Sequence, residues 1–135
     1  MSETTFLGYV RSGLRGFAYV QKHNDITEGV PDLSLCFKTN KRNVWMELKA
    51  TARWPLKDET PVWWEHFTEQ QAVWLWQREG WLFVRVWKTY ALFTGAEAWR
   101  MWQAHGYKRE TFLLNAYAVW HNRVKFFELA EAIRG

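Results

Sequence analysis

Three charged residues interrupt a segment that otherwise has the pattern of two buried strands. Asp32 follows a Gly-Val-Pro turn, and Glu47 and Lys49 stand near the end of the next apolar run, in "WMELKA". A buried carboxylate without a partner costs free energy or takes up a proton. We therefore expect these acids to be compensated locally, and the compensating group decides what chemistry they can do.

Strand geometry indicates where the three side chains lie. Successive side chains of a strand point to opposite faces, so Glu47 and Lys49 share one face and Leu48 lies on the other. On the preceding strand, Asp32 lies on the face away from Leu33. If a hairpin pairs the strands, Asp32 and Glu47 occupy the same end and face of the sheet. Two carboxylates so close repel each other unless a cation lies between them.

A divalent metal ion meets this requirement. Mg²⁺ prefers oxygen ligands, and it commonly uses one or two protein carboxylates while leaving room for phosphate oxygens. Asp32, Glu47 and the backbone carbonyl of Leu48 would supply such a half-shell. Lys49 would reach a metal-bound water or a phosphate and stabilise the developing negative charge. The pattern predicts metal-assisted hydrolysis of a phosphodiester.

Two motifs carry a resemblance to a known family. "GVPDL", followed after a hairpin by "WMELKA", resembles the PD-(D/E)XK nuclease superfamily, whose signature is Pro-Asp on one strand and Glu-x-Lys on the next. Downstream, "FTEQQAVWLW" is similar to the Ser/Thr-x-x-Gln helix start of its virus-type replication-repair nuclease (VRR-NUC) and Holliday-junction-resolvase-like branches. The resemblance covers about residues 3–95.

The resemblance implies a restriction-endonuclease-like core and Mg²⁺-dependent DNA endonuclease activity, with Mn²⁺ able to substitute. It implies a branched or structured DNA substrate of the kind met in recombination and repair. Asp32, Glu47 and Lys49 would be catalytic, Gln71 (alternatively Gln70) would orient the substrate or Lys49, and Glu3 would be a further catalytic acid. A two-fold homodimer is expected, because one site per chain cuts one strand at a time.

Each of these residues also has a purely structural interpretation. Asp32 suits a turn, and Glu47 with Lys49 suits an exposed charge pair on a strand, although apolar neighbours favour burial. Gln71 fits a capping box with Thr68. Glu3 fits a first-turn acid favoured by the helix dipole. The loop acids Asp25 and Glu28 are substitutes for Glu3 or simply solvated residues.

Basic residues close to the motif favour contact with DNA. Lys38, Lys41 and Arg42 form the tip of the predicted hairpin, and Arg53 and Lys57 stand in the following loop. We expect them beside the site, where they would bind phosphates; a solvated face is the alternative.

Tryptophans in the loop after the hairpin have two interpretations. Trp54, Trp63 and Trp64 either pack the loop down, which their size favours, or stack on bases or wedge a branched duplex.

The elements that must position these residues are a mixed sheet and flanking helices, an α/β arrangement. Helical spacing predicts a helix within residues 2–15, and alternation predicts strands at residues 17–21, 32–37 and 44–50. Capping boxes at Thr68 and Thr94 open helices, with two strands between them. Residues 108–121 fit strand or helix equally, and residues 124–135 form a final helix.

Composition predicts one domain spanning residues 1–135, with a core at about 3–95 and a C-terminal helical extension at about 96–135. The charge of +4 and pI of about 9.3 suit a polyanionic partner. The single Cys36 and the absence of a signal-peptide pattern indicate a soluble, cytoplasmic protein without a membrane partner. A small phage, plasmid or mobile-element enzyme fits this size, and a non-catalytic nucleic-acid-binding module is the rival from another class.

Overall fold

The computed structural model describes residues 2–23 and 28–135, so the alternative acid Asp25 lies outside the described residues. The helices are α1 (Glu3–Leu14), α2 (Glu69–Gln77), α3 (Gly95–Gln103), α4 (Arg109–Asn115) and α5 (Phe126–Arg134). The strands are β1 (Ala18–Lys22), β2 (Leu33–Phe37), β3 (Asn43–Thr51), β4 (Trp81–Val86), β5 (Thr89–Thr94) and β6 (Ala118–His121).

The strands form one mixed sheet whose spatial order follows the chain, β1-β2-β3-β4-β5-β6. Neighbours are antiparallel except β3 and β4, which are parallel and are connected through α2. β1, β3, β4 and β6 therefore point the same way, and we call the end of the sheet where they finish the upper end. The tip of the β2–β3 hairpin lies at the lower end. The predicted α/β class with a mixed sheet is confirmed.

Helices cover both faces of the sheet because its central strands are apolar on both sides. α1 and α5 pack on one face, where α1 presents Phe6, Val10 and Leu14 at helical spacing. The other face carries α2, α3, α4 and the loop of residues 52–68, whose side chains pack with Leu82 and Val84 of β4. The site residues lie on this second face.

The capping predictions are confirmed at one helix and half confirmed at another. At α2 the Thr68 hydroxyl accepts from the Gln71 amide while the Gln71 side chain accepts from the Thr68 amide, so the capping box is complete. At α3 the Thr94 hydroxyl accepts from the Glu97 amide. The Glu97 carboxylate bonds Arg100 and the Tyr107 hydroxyl, which are stronger partners than a backbone amide at the cap.

The ambiguous residues 108–121 contain both kinds of element, α4 and β6. β6 pairs with β5, so the C-terminal segment predicted to be a helical extension contributes a strand to the same sheet. α5 then packs in the same apolar cluster as α1. Among the described residues, no helix is long and apolar enough to cross a membrane.

A glycine in the turn before β2 lets that strand begin close to α2. Gly29 has a φ of 83°, and a Cβ atom at this position would lie 2.9 Å from the Gln70 carbonyl oxygen. Only glycine combines this backbone conformation with such a close approach. The turn thus fixes the start of β2, and with it Asp32, against the first turn of α2.

Candidate functional site

Asp32 and Glu47 lie side by side on one face of the sheet. The antiparallel register pairs Leu33 with Met46, which places the preceding residue of β2 opposite the following residue of β3. The Asp32 amide donates to Oε1 of Glu47 at 3.0 Å, and the Leu48 amide donates to Oδ2 of Asp32 at 2.9 Å. These two bonds fix both carboxylates where β2 begins.

Lys49 completes a buried polar cluster with Glu47. Its Nζ lies 3.0 Å from Oε2 of Glu47, and the two side chains are each 2% exposed. The ammonium also donates to the His66 carbonyl at 3.4 Å and lies 5.9 Å from the centre of the Phe67 ring. The apolar neighbours of these residues in the sequence correctly indicated burial.

The environment of Glu47 favours its neutral form. Burial raises the pKa of Glu47 to about 8, and the neighbouring Asp32 carboxylate raises it further, while the positive charge of Lys49 opposes both effects. A carboxyl with a pKa in this range holds a proton at neutral pH. A divalent cation between the two acids would displace that proton, because it stabilises both negative charges.

Glu3 reaches the loop above the site and not the two acids. Its Oε2 lies 2.8 Å from Nε2 of His66, and this pair connects the start of α1 to the loop. The His66 backbone and Phe67 in turn cover Lys49. Glu3 is therefore placed to hold the cover of the site, which differs from its predicted role as a further catalytic acid.

The predicted glutamine is committed to the cap of α2. Within the described part of the chain, the hydrogen bonds of the Gln71 side chain are with Thr68. Gln70 is exposed and lines a cleft of about 460 Å³ with Glu28 and Trp74. Neither glutamine makes a hydrogen bond to Lys49 here, so their predicted roles in orienting it or the substrate remain predictions.

His23 and Ser34 extend the polar cluster along the sheet, and sequence reasoning missed both. The His23 amide donates to the Asp32 carbonyl at 2.9 Å. Its Nε2 lies 2.7 Å from Oγ of Ser34, and its ring packs against Trp45. The signal was the register between β1 and β2, which the isolated sequence does not specify.

The structure corrects the expected position of three basic residues. Lys38, Lys41 and Arg42 lie at the lower end of the sheet, five residues along β2 from the acids, or about 17 Å at strand spacing. Lys38 donates to the Arg15 carbonyl and Arg42 to the Arg134 carbonyl. The expectation that the hairpin tip lies beside the site is wrong, because Asp32 stands at the start of β2 and the tip follows its end.

The other predicted phosphate contacts lie in the loop that follows β3. Arg53 and Lys57 are both exposed. Trp54 and Trp64 are 9% and 5% exposed and pack on Phe112, so for them the packing interpretation is confirmed.

The donor set fits a hard cation only in part. Across residues 2–23 and 28–135, no group of three or more His, Cys, Asp and Glu side chains is placed to hold a metal ion. Mg²⁺ needs only one or two carboxylates when water and substrate supply the rest. The adjacent Asp32 and Glu47, whose mutual repulsion raises the pKa of Glu47, meet that smaller requirement.

Comparison with protein-family models and with curated proteins finds no match for this chain. The functional assignment therefore depends on the geometry above.

Proposed function

We propose that this protein is a Mg²⁺-dependent DNA endonuclease that hydrolyses phosphodiester bonds, with Mn²⁺ able to substitute. The observation that supports this most directly is the pair of bonds that join Asp32 to β3, from its amide to Glu47 and from the Leu48 amide to its carboxylate. They bring together two acids and leave Lys49 adjacent. The resemblance of "GVPDL" and "WMELKA" to PD-(D/E)XK nucleases involves these same residues.

The order of elements supports a restriction-endonuclease-like core. The chain runs through α1, the antiparallel strands β1 to β3, then α2 and the parallel strand β4. The acids lie on the hairpin β2–β3, as the resemblance implies. The crossover through α2 places a helix N-terminus above the same face of the sheet.

Asp32, Glu47 and the Leu48 carbonyl are the groups that would hold the metal ion. The Leu48 amide points toward Asp32, and the carbonyl of a strand residue points to the same side as its amide, beyond the start of β2. A bound Mg²⁺ supplies a Lewis acid for the phosphate and lowers the pKa of water. Lys49 supplies a fixed positive charge for the negative charge that develops on the phosphate.

Substrate access requires the cover to move. Lys49 is 1% exposed, beneath the His66 carbonyl and the Phe67 ring. A phosphate can contact the ammonium only when the segment around residues 62–67 is displaced. We therefore propose that the arrangement described is the closed state of the site.

The same burial favours a second candidate, a nucleic-acid-binding module without catalysis. Here the Glu47–Lys49 pair would be a structural charge pair that is satisfied internally and never meets substrate. Such a protein would bind DNA through its exposed cations, such as Arg53 and Lys57.

Incubation with plasmid and with a four-way junction, in Mg²⁺, Mn²⁺ or EDTA, distinguishes the two candidates. Endonuclease activity predicts metal-dependent nicks that Asp32→Asn and Glu47→Gln abolish. Both substitutions keep the shape and hydrogen-bond acceptors of the acids while removing their charge. Glu65→Gln, in the exposed part of the loop, is the matched control. Binding without nicks in any metal would refute the enzyme, and sedimentation of the active species tests the proposed homodimer.

A further inference from the structure

A second set of cations, distinct from the five predicted ones, lies at the upper end of the sheet. The β4–β5 turn carries Trp87 and Lys88, and the segment after β6 carries Arg123 and Lys125; we call these four residues the upper rim. Their cations are exposed, and Trp87 is 54% exposed. An exposed indole among three cations is unusual for a turn whose only task is to reverse the chain.

Backbone bonds fix the upper rim in place. The Trp87 amide donates to the Thr51 carbonyl at 3.1 Å, and the Asn122 amide donates to the Lys88 carbonyl at 2.7 Å. Trp87 and Asn122 both have a positive φ, of 54° and 71°. Non-glycine residues rarely adopt this conformation, and they hold it when the surrounding structure constrains them. The tip of the turn is thus tied to the ends of both β3 and β6.

The upper rim adjoins the candidate site. Thr51, which binds the Trp87 backbone, is two residues beyond Lys49 on β3, or about 7 Å along the strand. Phosphates recur about every 3.4 Å on one strand of duplex DNA. A DNA strand with one phosphate at the site would therefore bring a nucleotide two or three positions away to Trp87.

The charge of the upper rim suits a polyanion. Lys88 places its Nζ 5.0 Å from the centre of the Trp87 ring, so one ammonium and one aromatic ring act together. The acid that follows on α5, Glu128, accepts a hydrogen bond from Nε1 of Trp120 at 2.9 Å. This bond holds its carboxylate against β6.

We propose that the upper rim binds the DNA flanking the cleavage point, with Lys88, Arg123 and Lys125 on phosphates and Trp87 stacked on an unpaired base at a branch. The inference rests on the proposed nuclease function for its substrate, but it is a statement about binding. Aromatic side chains stack on any base, and they read an unpaired base more readily than a paired one. The upper rim would therefore provide a preference for branched over continuous duplex.

Fluorescence anisotropy in EDTA tests this, with a labelled four-way junction and a duplex of the same sequence. We expect Trp87→Ala to weaken junction binding about tenfold and duplex binding much less. Lys88→Gln with Arg123→Gln should lower the slope of log K against log salt by about two for both DNAs, at about one per phosphate contact.

The chain offers a matched control at the lower end of the sheet. Tyr19 is 64% exposed and Lys38 lies 5.3 Å from its ring centre, so the pair repeats the chemistry of Trp87 and Lys88 far from the site. Tyr19→Ala and Lys38→Gln should leave binding unchanged. Equal losses at both ends, or none at the upper rim, would overturn the proposal.

The two proposals fail separately. A parent protein that binds the junction through Trp87 but never cuts it in Mg²⁺ refutes the nuclease and leaves the upper rim. A protein that cuts normally after Trp87→Ala and Lys88→Gln, with unchanged binding, refutes the upper rim and leaves the nuclease. Absence of DNA binding by the parent overturns the upper rim.

Discussion

The Lys49 ammonium lies 3.0 Å from Oε2 of Glu47, and both side chains are almost completely shielded from solvent. A cation and an acid held together in this way usually neutralise each other. Here, however, burial and the nearby Asp32 still raise the pKa of Glu47 to about 8. The cluster therefore carries a proton that a metal ion or a change in pH can remove.

Without metal, the free energy of unfolding should fall as the pH rises from about 4.5 to about 8. Glu47 binds its proton more tightly in the folded protein, with a pKa of about 8 against an ordinary value of 4.5. Between these values the folded state holds more protons than the unfolded state, so a rising pH favours unfolding. Urea denaturation in EDTA at pH 5, 7 and 9 measures this. Glu47→Gln should flatten this part of the profile, and an unchanged profile would contradict the assignment.

Mg²⁺ binding should release a proton and tighten as the pH approaches 8. The metal needs the Glu47 carboxylate, which is protonated at lower pH. Calorimetry in two buffers of different ionisation enthalpy reports the proton directly. Glu47→Gln should bind metal more weakly and release no proton, while Glu65→Gln should behave as the parent. Proton release that persists in Glu47→Gln would place the titrating group elsewhere.

Lys49→Met should leave a folded protein that binds DNA but cuts it at least about 100-fold more slowly. Methionine fills the space of the lysine stem, and a neutral Glu47 needs no cation beside it. Loss of a positioned group that stabilises transition-state charge costs about 100-fold to 1,000-fold in rate. Single-turnover cleavage at saturating protein measures the loss, with circular dichroism as the check on folding. Cleavage at the parent rate would exclude Lys49 from the reaction.

Glu3→Ala should leave cleavage within a few-fold of the parent, because Glu3 pairs with His66 and not with the acids. The pair is well exposed at His66, so its loss should cost at most about 1 kcal/mol of stability. Hydrogen exchange of residues 62–67 should become faster, since the loop loses its connection to α1. A loss of cleavage comparable to that of Asp32→Asn would restore Glu3 to its predicted catalytic role.

Trp99→Ala should lower the melting temperature and alter the near-ultraviolet circular dichroism. Its ring stacks between Trp76 and Trp102, with interplanar angles of 6° and 1° and centroids 5.5 Å apart on either side. Aromatic pairs contribute about 0.5–1.5 kcal/mol each beyond buried area, and removing the middle ring breaks two of them. Trp87→Ala, whose ring has no such stacking partner among the described residues, is the control.

Local patterns predicted the elements well where one period dominated. Leu33, Leu35 and Phe37 alternate because β2 has one apolar face, and the Thr68 cap marks α2 unambiguously. The same alternation placed Glu47 and Lys49 on the face away from Leu48. The pairing of Asp32 with Glu47 followed from the hairpin, since a short tip leaves few registers.

Contacts between distant segments could not be predicted. Nothing local to Glu3 indicates that His66, 63 residues away, will take its carboxylate. The position of the basic residues depended on the direction of the hairpin, and the neighbours of Trp87 depended on β6, whose strand character the sequence left open. The interior neighbours of a strand were thus readable, while its ends required the full topology.

The spatial order of the strands repeats their order in the chain. Each new strand can therefore dock beside the one synthesised just before it, and β3 and β4 alone among the described neighbours need a longer connection. Low sequence separation of contacts reduces the entropy lost in closing loops and speeds folding. We expect the β1–β3 meander, which already holds both acids, to assemble early during translation, before the C-terminal residues leave the ribosome.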